Sequence, residues 1–488
     1  MSTEPFPRIQ IARLEGRSQS LRLRQALFHS LHAALTSSES AIKQAIVADT
    51  GNSDADIALE YSLVLSELRT QYESLDLKTE VTIAHSLENP TGTTNVGIVY
   101  VIPEQRNLFY SILSPLCAAL AAGNCVILEL PPTLSQVSST LRKLLPDALD
   151  ADVFAISNSR PPDSFLSQCL VVSQLDDDRK NFSVAAGCLP SRPSALAVAV
   201  IDRTANISNA ARSVALSRRL LQGQSHYAPD IVLVSEWVAD EMLAHLVREV
   251  ATPLVKGERT SPPANGPSKK PTPYSRHQAL KEFDGKDGCK VVVSGEHGSI
   301  VEITSRDQGL LHHKIEGPVT VLHRVSSLDD AIDVSNGLGL PLDALYIFAT
   351  PEEAIYVSRF VDTRISCMNH IPLELLIGPS APVHPTAPTT ATPRYASAMF
   401  RRPQPRSATA SDLSKTILLE DSKASTRASI QDQLSSWSRA AARPLRPTGQ
   451  GDGKALGFFD AAFLLAGGTV LSVAATSIFL TVRYLRRR

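Results

Sequence analysis

An α/β fold built on parallel sheets, closed by a membrane-spanning C-terminal helix, is what this sequence predicts. Strand-like apolar runs alternate with amphipathic helical stretches across residues 95–361, and a glycine turn joins helix to strand at Ala121-Ala122-Gly123-Asn124. Near the C-terminus, residues 461–482 hold no charged side chain and are dominated by Phe, Leu, Ile, Val and Ala. At about 1.5 Å per residue that run is long enough to cross roughly 30 Å of hydrocarbon.

The first elements are helical. Ile11, Leu14, Leu21, Leu23, Leu27, Leu31, Leu35, Ile42 and Ile46 recur at helical spacing, and a second helical stretch runs from Ala55 to Tyr72. His29 and His32 share a helix face, but no third ligand accompanies them, so they predict a surface pair and no metal site. Asn95 to Pro103 is a buried strand, followed by a helix through Leu120 and a strand over Cys125-Val126-Ile127-Leu128. A helix over 134–145 and strands at 153–156 and 170–173 continue the alternation. The second half repeats it, with a strand at 196–201, a helix from Ile207 to Leu221 and a helix from Glu236 to Val250. Strands follow at 291–293, 300–303, 319–322 and 345–348, with helices at 328–336 and 351–361. Residues 252–275 are rich in Pro, Lys, Gly and Ser and predict a surface loop.

Five segments result: an α/β domain over 1–190, a second α/β domain over 191–378, a Pro/Ser/Arg-rich disordered tether over 379–454, a transmembrane tail anchor over 455–482, and a basic tail over 483–488. The anchor predicts a body in the cytosol, since Met1–Arg13 has no apolar core of signal-peptide type. Arg486-Arg487-Arg488 points to the peroxisome or the mitochondrial outer membrane. A net charge of −1 gives no electrostatic reason for a nucleic-acid partner. The six cysteines lie far apart without a C-x-x-C pair, which predicts free thiols.

Gly223-Gln224-Ser225-His226-Tyr227-Ala228-Pro229-Asp230, followed by Ile231-Val232-Leu233, resembles the segment G-Q-T-C-x-A-P-D-x-x-L that carries the nucleophilic cysteine of class 3 aldehyde dehydrogenases. Three further stretches, in the same order, carry the resemblance: Asn95-Val96-Gly97 through Asn107-Leu108-Phe109-Tyr110 to Gly123-Asn124; Glu316-Gly317-Pro318-Val319; and Ala331-Ile332, Asn336, Pro341-Leu342 with Ala344-Leu345-Tyr346-Ile347-Phe348. It covers about residues 8–378. It implies a Rossmann-like cofactor domain beside an α/β catalytic-type domain, oxidation of aldehydes with NAD or NADP, and, by likeness to the membranous fatty aldehyde dehydrogenases, a tail anchor in the endoplasmic reticulum.

The resemblance also assigns roles, and most are altered. Asn107 matches the asparagine that holds the developing oxyanion, although an asparagine before a helix can equally cap it. His226 stands at the nucleophile and carries no thiol. The general-base glutamate has no counterpart, because 180–201 contains no Asp or Glu. Glu129 stands at the lysine that holds the adenosine ribose, and Lys314 at the glutamate that holds the nicotinamide ribose. Ser173-Gln174-Leu175 and Asp176-Asp177-Asp178 replace the glycine turn beneath the pyrophosphate, where carboxylates would repel it. The resemblance with these losses predicts a protein without ordinary aldehyde oxidation and with no bound cofactor, acting as a binding partner or scaffold. It would be a homodimer, or a heterodimer with an intact paralogue. The alternative is NAD(P)-dependent oxidation of a lipophilic or biosynthetic aldehyde by a modified site.

Overall fold

The protein is described by a computed structural model covering residues 5–78, 81, 92–176, 187–251, 280, 283, 286–295, 298–306, 311–312, 314–339, 341–384, 394–403 and 427–445. It divides into two compact units, residues 1–406 and 407–488. Among the described residues no helix is long and apolar enough to cross a membrane. The 461–482 run, the 252–275 loop, and Asp177 and Asp178 lie outside them.

In the first unit, helices Pro7–Glu15, Leu21–Ser37, Glu39–Thr50 and Asp54–Glu73 come first. Thr93–Asn95 (β1) precedes a five-stranded sheet made of Ile98–Ile102 (β2), Cys125–Glu129 (β3), Phe154–Ser157 (β4), Leu170–Ser173 (β5) and Cys188–Pro190 (β6). The order is β4-β3-β2-β5-β6, and every neighbouring pair is parallel. The chain runs outward from β2 on one side and returns to the other through β5. A crevice therefore opens at the carboxyl ends of β2 and β5, the place where such sheets bind ligands.

The helix Leu108–Ala121, LFYSILSPLCAALA, is apolar all round and correspondingly buried all round. Tyr61 of the preceding helix stacks on its Phe109 with ring centroids 6.1 Å apart. It ends at Gly123, whose φ of +83° allows the Asn124 amide to reach back to the Ala119 carbonyl.

The second sheet contains Ala197–Ile201 (β7), Ile231–Ser235 (β8), Cys289–Gly295 (β9), Gly298–Ile303 (β10), Val319–Val325 (β11), Ala344–Phe348 (β12) and Ser366–Met368 (β13). Its order is β13-β12-β7-β8-β11-β10-β9, parallel except for β9. Successive side chains feed two cores, as a period of two requires. Ala197, Ala199, Val232, Val234, Tyr346 and Phe348 join the large core shared with the first sheet. Val198, Val200, Ile231, Leu233, Leu345 and Ile347 fill a second core on the opposite face.

The body extends beyond the expected boundary at 378. Tyr395 and Phe400 are fully buried, Arg394 is buried, and Arg401–Pro403 (β14) pairs antiparallel with β1. Composition misleads here because two large apolar residues scattered among Pro, Thr and Ala are enough to complete a core. The second unit contains the helix Arg427–Ala441, within the stretch expected to be an unstructured tether.

Candidate functional site

Asp230 sets the geometry of the site. It closes the loop before β8, is 2% exposed, and accepts four hydrogen bonds. Its Oδ2 takes the Ala197 amide at 2.8 Å and Lys314 Nζ at 3.0 Å. Its Oδ1 takes the Ile315 amide at 2.9 Å and Arg218 at 3.2 Å. Arg218, 1% exposed, also donates to the carbonyls of Pro229 and Ile315 at 2.8 Å each. Gly223 begins the same loop at φ +75°, and a Cβ there would strike the backbone of Gly317. The loop 223–230 and the turn 314–318 are thus locked together.

Lys314 belongs to that lock. Besides Asp230, its ammonium donates to the carbonyls of Ala195 at 2.7 Å and His226 at 2.5 Å, so its three protons meet three acceptors within the protein. Glu316, two residues on, pairs with Arg106 from the loop after β2.

His226 sits at the tip of the locked loop and is 3% exposed. Its Nε2 lies 2.8 Å from both carboxylate oxygens of Glu104, and its Nδ1 lies 3.2 Å from the Pro193 carbonyl. Both ring nitrogens therefore face acceptor oxygens of the protein itself. A carboxylate does reach the nucleophile position, then, but it comes from the end of β2 and not from residues 180–201. The sequence signal was an isolated Glu104-Gln105-Arg106 between an apolar strand and an apolar helix.

The β2/β5 crevice is occupied from within. Gln174 is fully buried, its Oε1 accepts the Glu104 amide at 2.8 Å, and its Nε2 donates to the Ser111 carbonyl at 2.9 Å and to Tyr395 Oη at 3.1 Å. A side-chain amide therefore fills the space at the turn where a phosphate would need bare backbone. Glu129 is engaged as well: it accepts from Tyr100 Oη at 2.8 Å and pairs with Arg160 at 3.2 Å. Asp176 Oδ1 accepts from the Ser194 hydroxyl at 3.3 Å. Gln174, Glu129 and Asp176 are thus each engaged within the protein.

Asn107 is 7% exposed and directly precedes the helix Leu108–Ala121, but its side chain does not cap that helix. The Tyr110 amide, which a cap would take, donates to Glu60 Oε1 at 3.2 Å. The carboxamide of Asn107 has no hydrogen-bond partner among the described residues and stays available as a donor. Burial lifts the Glu60 carboxyl from 4.5 to about 7; the Tyr110 amide opposes the shift and Asp56 adds to it. Elsewhere, His29 Nε2 lies 3.1 Å from Tyr72 Oη, and among the described residues no three His, Cys, Asp or Glu side chains are placed to hold a metal ion. None of the six cysteines forms a disulfide.

The sequence pattern described as the aldehyde dehydrogenase family matches residues 194–373. Aldehyde dehydrogenase family 3 member B2 of Mus musculus is 24% identical over 373 residues, covering 70% of this chain and 74% of that protein. Family 3 member A2 of Macaca fascicularis is 25% identical over 392 residues, covering 73% and 76%. The substrate-bound state of Staphylococcus aureus AldH matches with a TM-score of 0.64 at 18% identity, over 88% of this chain and 98% of that one. Succinic semialdehyde dehydrogenase from Streptococcus pyogenes, solved in complex with NADP+, matches with a TM-score of 0.62 at 16% identity, over 81% and 93%. The solved structures establish a common fold.

Substitutions at two positions test this geometry. Glu104→Ala removes the partner of a buried histidine and should cost about 3 kcal/mol in urea unfolding, with Glu104→Gln losing less; equal stability of Glu104→Ala and the parent would refute the pair. For Glu60, both folded and unfolded chains hold the proton below pH 4.5. Between pH 4.5 and about 7 the unfolded chain ionises first, so stability falls as pH rises through that window. Glu60→Gln should match the parent at low pH and exceed it by about 3 kcal/mol at pH 8. A pH-independent difference would contradict the raised carboxyl.

Proposed function

Because the chain belongs to the aldehyde dehydrogenase superfamily and is class 3-like, we propose that it is a membrane-tethered member that has given up ordinary aldehyde oxidation and serves as a binding partner or scaffold. The observation that carries this reading is the closed nucleophile position: His226 has no thiol, and both its ring nitrogens are engaged by Glu104 and Pro193. Thiohemiacetal chemistry needs a free thiolate at that point. Gln174 in the β2/β5 crevice supports the same reading for the cofactor, as do the internal engagements of Glu129 and Lys314. The uncharged run 461–482 supports the tether, as a single-pass tail anchor in the endoplasmic reticulum, the peroxisome or the mitochondrial outer membrane. A homodimer, or a heterodimer with an intact paralogue, is the partner arrangement that keeps the fold useful without its chemistry.

One observation favours the alternative, NAD(P)-dependent oxidation of a lipophilic aldehyde: the Asn107 carboxamide remains unspent. An oxyanion donor stabilises charge only once a nucleophile has attacked, so the alternative still requires a nucleophile other than His226.

Calorimetry of NAD and NADP with the full-length chain in detergent tests the proposal. The expected result is no heat of binding up to millimolar nucleotide, in the parent and in His226→Cys alike. Clear binding would overturn the reading of Gln174, Glu129 and Lys314.

A further inference from the structure

The helix Arg427–Ala441 presents large apolar side chains that nothing in its own unit covers among the described residues. Leu434 is 43% exposed and Trp437 61%; Leu445, just past the helix, is 97% exposed. Leu434, Trp437 and Ala441 are spaced by three and four residues and share one face. The exposed Asp432, Ser435 and Arg439 lie on the other side. Charge is lopsided: Arg427, Arg439, Arg443 and Arg446 stand against Asp432 alone over residues 427–446. One of the chain's two tryptophans is on this face, and tryptophan favours the boundary between head groups and acyl chains. The uncharged run begins at Ala461, 16 positions past Leu445.

We propose that residues 427–445 lie along an anionic lipid surface, with Leu434, Trp437 and Leu445 in the head-group boundary and the arginines on acidic head groups. The proposal takes its setting from the membrane-tethered reading, but its test does not depend on the anchor. One helix face and the net positive charge of the segment suffice: the apolar side supplies depth, and the arginines select the lipid. Held flat in this way, the segment would fix how far from the bilayer the chain before it emerges.

The test uses a chain ending at residue 450, which removes none of the contacts described above. Trp237→Phe leaves Trp437 as its single tryptophan. With vesicles of phosphatidylcholine and phosphatidylserine, the chain should sediment and the Trp437 emission should move to shorter wavelength. Leu434→Ser and Trp437→Ser should each lower vesicle partition roughly tenfold, with the thermal unfolding of the body unchanged. No sedimentation and no spectral shift would overturn the proposal, and so would equal binding to pure phosphatidylcholine. A lipid-free blue shift that grows with protein concentration would assign the face to a second copy instead. Whether the full-length chain resists alkaline extraction from membranes tests the anchor separately, and failure there leaves the vesicle result standing.

Discussion

Asp230 is a buried carboxylate holding two cations and two backbone amides, and the site depends on it. A carboxylate so placed is stable only while every acceptor site is matched, and Arg218, Lys314, Ala197 and Ile315 match it. Through these bonds the start of β7, the loop before β8 and the turn before β11 are held as one piece. The requirement for glycine at 223 has the same origin, because the turn 314–318 presses on it. None of these constraints involves the side chain at 226. The frame of the loop 223–230 is therefore held by folding constraints whatever side chain stands at 226.

The side chain at 226 takes part in contacts between the loop after β2 and the loops of the second sheet. Glu104 and Arg106 come from the loop after β2, His226 and Glu316 from the loops of the second sheet, and Glu104 contacts His226 while Arg106 pairs with Glu104 and Glu316. Gln174 and Tyr395 tie the same region from below. Removing one partner of such a buried pair leaves the other without its contact and costs stability.

Much of this was legible in the sequence, for physical reasons. Strands of β-branched residues between glycine turns, and helices with apolar positions three and four apart, announce themselves through burial. Asn107 was visible as a candidate but its role was not, since a helix cap and an oxyanion donor look alike until Glu60 is seen to take the Tyr110 amide. Glu104 and Gln174 were not legible as site residues. The partners that place them in the site, His226 for Glu104 and Ser111 for Gln174, lie 122 and 63 positions away, and no local pattern reports such a pairing. The burial of Tyr395 and Phe400 escaped for the opposite reason: their neighbours have the composition of a tether.

The measurement that bears most directly on this account is turnover of a long-chain aldehyde with NAD and with NADP by the full-length protein in detergent. The account predicts no reduced nucleotide above that formed by an Asn107→Ala protein. Turnover that disappears with Asn107→Ala would contradict it, because the unspent carboxamide would then be serving a working nucleophile.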